Sequence, residues 1–159
     1  MEKIVPKNAG EVCEALAMAA NSKHKLDLRG SGSKKDIGSP VDADFVLDLN
    51  QLNGIVSYEP GELVLTALPA TSLLEIEKVL SESHQYLPFE PPGAKDGATL
   101  GGILSSNYSG PRRISVGAAR DHFLGLDAVS GRGEIFKSGG KVVKNVTGYD
   151  LPKLIAGSW

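Results

Sequence analysis

Two stretches of small residues in this 159-residue chain have the composition of anion-binding loops. The first is Arg29-Gly30-Ser31-Gly32-Ser33-Lys34. Consecutive small residues let several backbone N–H groups converge on one point, the nest geometry that receives phosphate oxygens. The hydroxyls of Ser31 and Ser33 would add donors, and Lys34 would add charge. The second stretch runs Gly97-Ala98-Thr99-Leu100-Gly101-Gly102 and continues to Ser105, Ser106 and Asn107. Backbone amides at the start of a short helix, beside a threonine hydroxyl, suit a pyrophosphate. Each stretch has a plainer alternative. The first can be a flexible turn, and Gly101-Gly102 can simply let a helix pack closely on a sheet.

Other chemistries are poorly supplied. A dinucleotide fingerprint starting at Gly30 would need glycine at position 35, which is Lys35, and no Gly-Lys-Ser/Thr of a P-loop occurs. His24 and His84 fall at expected helix ends, and His122, after Arg120-Asp121, suits a local ion pair or a core role. No G-x-S-x-G nucleophile elbow is present. Arg112-Arg113 and the lysines of Lys141–Lys144 read as solvated surface unless a phosphate-bearing ligand lies beside them. The single cysteine, Cys13, excludes an internal disulfide and a cysteine-rich metal site, and reads as a packed thiol.

The elements that must position the two loops are short. Asn8 and Glu11 have capping-box spacing and predict a helix to about Ser22. Lys25–Arg29 alternates as a strand and leads directly into the first loop. Strands are predicted at Phe45–Leu49, Ile55–Tyr58 and Leu63–Leu68, the last two joined at Pro60-Gly61 as a hairpin. Ser72 and Glu75 open a second helix that ends near His84, before the proline-rich connector Pro88–Pro92. Thr99–Asn107 is expected to hold one or two helical turns. Leu124–Ser130 and Glu134–Lys137 form a hairpin around Gly131–Gly133, and Asp150 caps a last helix beginning Leu151-Pro152. Strands bunched over residues 25–68 among helices predict an α+β fold.

Composition sets outer bounds. A hydrophobic content of 41% and a charged content of 23% are those of a globular domain with a core. A net charge of −2 gives no nucleic-acid footprint. No apolar run is long enough to cross a membrane and the N-terminus is not a signal peptide, so a soluble, cytoplasmic protein is expected.

Read in order, the RGSGSK loop, VLDLNQLNGI, LTALPATSLLEIEKVL, LPFEPP, GATLGGILSSNYSG and the run from Arg120 to Ser158 resemble the FAD-binding domain of the vanillyl-alcohol-oxidase (PCMH) type. More narrowly they resemble the FAD-binding E subunits of bacterial glycolate oxidase complexes. The resemblance covers Pro6 to Ser158, and Gly139–Leu154 is its most specific part. It implies a two-lobed α+β domain over residues 1–159, a smaller lobe to about residue 68 and a larger one from about 69, with FAD between them. The two pyrophosphate loops map onto Arg29, Gly30, Ser31, Gly32, Ser33 and Lys34, and onto Thr99, Leu100, Gly101 and Gly102 with Ser105, Ser106 and Asn107. Pro88 would lie on the flavin side, and Gly148 with Tyr149 and Asp150 would return toward the cofactor. Covalent members often carry a histidine in the first loop; this one has none, which implies dissociable, non-covalent FAD.

The family usually continues beyond Gly157-Ser158 into a GTLG-type segment and then, in larger relatives, a cap domain. The chain is therefore expected to be a C-terminally truncated module without a cap, not active alone. The implied function is the FAD-binding component of a glycolate or other 2-hydroxy-acid oxidase or dehydrogenase, with hydride passing from the substrate Cα to flavin N5. The implied partners are a larger FAD-linked oxidase subunit and an iron–sulfur subunit, with a homodimer also open and membrane association only through partners. Two alternatives stay open: a non-catalytic scaffold that docks to partners without FAD, and a module for another nucleotide. No residue has the context of a catalytic base.

Overall fold

The structure, a computed structural model, describes residues 2–141 and 148–159. Lys144 and the central part of the Gly139–Leu154 signature singled out above fall within residues 142–147, outside the described residues.

The N-terminal part is a small parallel sheet built around one helix. Strand β1 (Glu2–Ile4) leads into helix α1 (Ala9–Ser22), followed by β2 (Leu26–Arg29) and β3 (Phe45–Asp48). β3 lies in the middle, with β1 and β2 both parallel to it: Glu2 and Leu26 stand opposite Phe45, and Ile4 and Leu28 opposite Leu47. The capping prediction for α1 is met. Asn8 Oδ1 accepts the Glu11 N–H at 3.0 Å, and the Glu11 carboxylate accepts the Lys7 N–H at 2.8 Å. Val12 and Ala15 of α1 pack with Leu47, against Ile4, Leu26, Leu49 and Val129. β1 was not anticipated from the sequence; three residues are too few to display an alternation. At the end of β3 the buried Asp48 takes the Lys3 ammonium at 3.0 Å and the Asn50 N–H at 3.1 Å. Burial pushes its carboxyl up, but these two donors outweigh burial and leave it below the ordinary aspartate range.

A second core forms further along. β4 (Ile55–Glu59) and β5 (Val64–Ala67) are an antiparallel hairpin turning at Pro60-Gly61, as predicted. Helix α2 (Leu73–Glu82) starts at Ser72, whose hydroxyl accepts the Glu75 N–H at 3.1 Å. Leu73, Ile76 and Leu80 on its inner face join Phe89, Ala98, Ile103 and Ala119, with Tyr58, Leu65 and Ala67 of the hairpin packed against them. Then come α3 (Leu100–Ser106), a single turn α4 (Arg113–Val116), the hairpin β6 (Gly125–Val129) and β7 (Ile135–Gly139), and α5 (Leu151–Ile155), whose cap is Asp150 as expected. The fold is mixed α and β, as the sequence predicts. No described helix is long and apolar enough to cross a membrane.

Candidate functional site: two loops meeting at a short helix

The first loop leaves the parallel sheet with its donors unspent. Leu49 donates its N–H to Arg29 O at 2.7 Å, which ends the ladder, and the chain turns at Gly30. Lys35 bonds back to Gly32 O at 3.1 Å and Ile37 to Lys34 O at 3.0 Å, closing the turn. The N–H groups of Gly30 through Lys34 donate to no protein acceptor among the described residues. Gly32 has φ 75°, and space is open where its side chain would be, so this position requires glycine on backbone grounds. Ser31 and Ser33 are exposed. Arg29 does not face an incoming anion freely. Its guanidinium is held by Asp27, Nε to Oδ2 at 2.6 Å, an i,i+2 pair on one face of β2.

The second loop is organised differently from the sequence expectation. Thr99 caps α3, its Oγ1 accepting the Gly102 N–H at 3.3 Å. The next two amides are not free donors: Leu100 N–H goes to Thr71 O at 2.9 Å and Gly101 N–H to Pro69 O at 2.8 Å. A Cβ on Gly101 would stand 2.9 Å from both Pro69 Cβ and Pro69 O. Gly101 is thus a packing glycine, and the plainer alternative holds for it. Behind it the fully buried Thr71 hydroxyl accepts the Gly54 N–H at 2.9 Å and reaches the Leu68 carbonyl at 2.7 Å. Thr71 and Pro69 were not singled out from the sequence, because LPATS reads as a plain connector.

The two loops touch. A Cβ on Gly30 would lie 2.9 Å from Thr99 Oγ1, and one on Gly102 would lie 3.2 Å from the same oxygen and 3.8 Å from Lys34 Nζ. Gly30, Lys34, Thr99 and Gly102, about 70 residues apart in sequence, are therefore one cluster. Lys34 is paired with no carboxylate among the described residues; its ammonium contacts Ser33 Oγ at 3.4 Å. Burial without a counter-ion holds its pKa below the ordinary lysine value.

At the far end of α3, roughly 10 Å away at 1.5 Å per residue, the surroundings change. Ser105 and Ser106 donate their hydroxyls to Gly102 O at 3.3 and 2.7 Å. Asn107 ends the helix at φ 52°, and its Oδ1 accepts the Arg120 N–H at 3.0 Å. The segment that returns to α3 is Gly157–Trp159: Gly157 N–H bonds Leu104 O at 2.9 Å and Trp159 N–H bonds Ser105 O at 3.0 Å. The Trp159 and Tyr108 rings meet edge to face at 6.5 Å. Together with Asn107, Ser109, Arg113 and Arg120 they line a groove of about 460 Å³. The proline connector runs past this end, with Glu90 N–H on Ser109 O at 3.1 Å, and Pro88 sits half-buried just before the buried Phe89. Gly148 is exposed at φ 77°, with no described atom within 4 Å of the side chain it lacks. His122 serves structure: its ring lies against Phe89 at 5.8 Å, with Nε2 2.9 Å from Val116 O.

The chain as a whole has known relatives. The model of the family described as FAD binding domain matches residues 3–139. The chain belongs to the FAD binding domain family. Within it, the chain is 42% identical over 146 residues to the glycolate oxidase subunit GlcE of Escherichia coli, covering 92% of this chain and 41% of that protein. It is 31% identical to the glycolate oxidase subunit GlcD of Bacillus subtilis, over 98% of this chain and 33% of that protein. Among solved structures an alkyldihydroxyacetonephosphate synthase superposes with a TM-score of 0.77 at 22% identity, covering 98% of this chain and 28% of that one. The FAD binding domain described here thus spans less than half the length of these relatives.

FAD is the cofactor of this domain family, and the local structure fits it. A row of unpaired backbone donors, a half-buried lysine without a counter-ion and a groove with two aromatic side chains lie along one short helix. Such an arrangement is cationic and rich in donors, which suits an anionic group such as a pyrophosphate.

Proposed function

We propose that this FAD binding domain is the cofactor-holding part of a 2-hydroxy-acid oxidase or dehydrogenase of the glycolate oxidase type. The observation that carries the site assignment is the contact of Gly30 with Thr99, which joins the free amides of the first loop to the start of α3. The identity of 42% with a glycolate oxidase subunit supports the substrate class. In this reading Gly30, Ser31, Gly32, Ser33 and Lys34 receive the pyrophosphate, with Lys34 as the neutralising charge. Thr99 and Gly102 hold the loop in place. Leu100 and Gly101 act through packing, and Arg29 acts by anchoring the loop to β2 through Asp27. Ser105, Ser106 and Asn107 face the remainder of the cofactor, with Pro88 and Gly148 assigned to its outer margin.

When bound, FAD would supply the hydride acceptor for a 2-hydroxy acid undergoing oxidation. The residues of this chain bind and orient it. The first loop contains neither histidine nor cysteine, so FAD is held without a covalent bond. Two core clusters support the proposal of two lobes, and Tyr58, Leu65 and Ala67 of the β4–β5 hairpin pack with the second cluster although they precede the proposed division near residue 68. Similarity to both GlcE and GlcD supports a place in a multi-subunit assembly, and the partners proposed for it are a larger FAD-linked oxidase subunit and an iron–sulfur subunit. A scaffold that has lost FAD is not favoured, because the phosphate loop keeps its glycines, its free amides and Lys34.

Titrating the purified chain with FAD and separating free flavin by gel filtration tests the reading. Stoichiometric retention is expected. A folded chain that retains none refutes it.

A further inference from the structure

We propose that Thr71 is a positioning residue of the cofactor site, one that sets the start of α3 against the first loop. That the site takes FAD rests on the functional reading above; the positioning rests on the following geometry.

Thr71 is fully buried, so it acts only through its neighbours, and each of its polar atoms is spent on them. Its Oγ1 accepts the Gly54 N–H at 2.9 Å. The same hydroxyl donates its single proton between Leu68 O at 2.7 Å and Gly54 O at 3.0 Å. Its N–H goes to Leu68 O at 3.1 Å, and its carbonyl takes the Leu100 N–H at 2.9 Å. Two residues on, Leu73 donates to Ala98 O at 3.0 Å, so residues 71–73 and 98–100 run antiparallel as a two-bond ladder with Ser72 opposite Thr99. Pro69 O adds the Gly101 N–H at 2.8 Å. A helix of seven residues does not hold its own shape, and these bonds fix where α3 begins.

The same residue is tied to the base of the first loop. Ala70 donates its N–H to Leu52 O at 2.9 Å, Leu52 to Leu49 O at 2.9 Å, and Leu49 to Arg29 O at 2.7 Å, where that loop leaves β2. A run of hydrogen bonds and short stretches of chain therefore leads from Arg29 through residues 49–54 to Thr71. It then crosses the ladder to Thr99, whose Oγ1 meets Gly30 and closes the circuit. Thr71 is the joint in this run. Its hydroxyl grips Gly54 on one side and its carbonyl holds Leu100 on the other.

Valine has the shape of threonine without the hydroxyl, so Thr71→Val leaves the Gly54 N–H without its partner. In the full 159-residue chain it should weaken FAD about tenfold or more. Thr71→Ser, which restores the hydroxyl, should bind within about threefold of the parent. Leu80→Ala opens a cavity at the far end of α2; it should lower stability yet also stay within about threefold for FAD. Parental binding by Thr71→Val, no rescue by serine, or an equal loss in Leu80→Ala overturns the proposal. Amide hydrogen exchange of the unaltered chain without FAD gives a second measurement, needed if Thr71→Val does not fold. Gly54, Leu100 and Gly101 should open as one unit, with protection equal within about threefold, and separate opening of Gly54 from the other two overturns the joint. The exchange result decides the positioning even if the parent retains no FAD, an outcome that sinks the flavoprotein reading instead.

Discussion

Replacing Gly30 by alanine probes the junction on which the site depends. The new Cβ would sit 2.9 Å from Thr99 Oγ1, 3.5 Å from its Cγ2 and 3.7 Å from its Cβ. The first of these is a clash. Thr99 is buried and β-branched, and its Oγ1 is held by the Gly102 N–H, so it has no free rotamer into which to retreat. Overpacking of this kind costs about 1–3 kcal/mol. Thr99→Ala alone loses the helix cap, at a cost of about 1 kcal/mol. In the double variant the oxygen that the new methyl group would strike is gone, so the two costs must not add. We expect Gly30→Ala with Thr99→Ala to be less destabilised than the sum of the singles by at least about 1 kcal/mol. Urea unfolding with a constant slope measures all three, and a matched FAD titration should show Gly30→Ala binding about tenfold more weakly or worse. Additivity within about 0.5 kcal/mol would refute the contact, and with it the claim that the loops are mutually positioned.

Lys34→Met should bind FAD about tenfold or more weakly, yet be slightly more stable than the parent chain without cofactor. The sign follows from the lowered pKa: the desolvated charge opposes folding at neutral pH, and that penalty disappears as pH rises toward 10.5, so the parent gains stability over that rise and the methionine variant does not. Gly110→Ala should lower stability by more than about 3 kcal/mol, because its Cβ would meet the Glu90 carbonyl at 1.8 Å from a backbone with φ 71°; thermal unfolding reads this, and a near-parental midpoint would contradict the packing of the connector. Asp48→Asn should cost about 1 kcal/mol at neutral pH by removing the charge that pairs with Lys3. Because the Asp48 carboxyl is depressed, that difference should fade as pH drops below 3.8, and denaturation curves at neutral and acid pH would test it.

What the sequence disclosed, it disclosed through local rules. Asn8, Ser72 and Asp150 cap helices as their spacing predicts, since each cap bond closes within one turn. Pro60-Gly61 and Gly131–Gly133 turn hairpins for the same reason. Pairing across distance was not legible. β1 is too short to register, and its parallel placement beside β3 is settled by α1 and Leu47 packing. The use of the Leu100 and Gly101 amides by Thr71 and Pro69 left no mark in composition either. One signal was available and was missed: Asp27 and Arg29 stand two apart in a strand, the spacing that puts opposite charges on one face. The groove draws on Asn107, Arg113, Arg120 and Trp159, which no single motif contains.

The bridge between Ser72 and Thr99 joins the capping residues of two helices, and Gly30 touches the second of them. Its consequence is kinetic. The two loops cannot meet by local bonds alone, because Gly30 reaches Thr99 across roughly 70 residues, and closing so long a loop is entropically late in folding. The proposed phosphate site is therefore expected to be among the last features the chain completes. In a refolding experiment helix content would recover first and the capacity to capture flavin would trail it, which makes cofactor uptake a clock for the docking of the two cores.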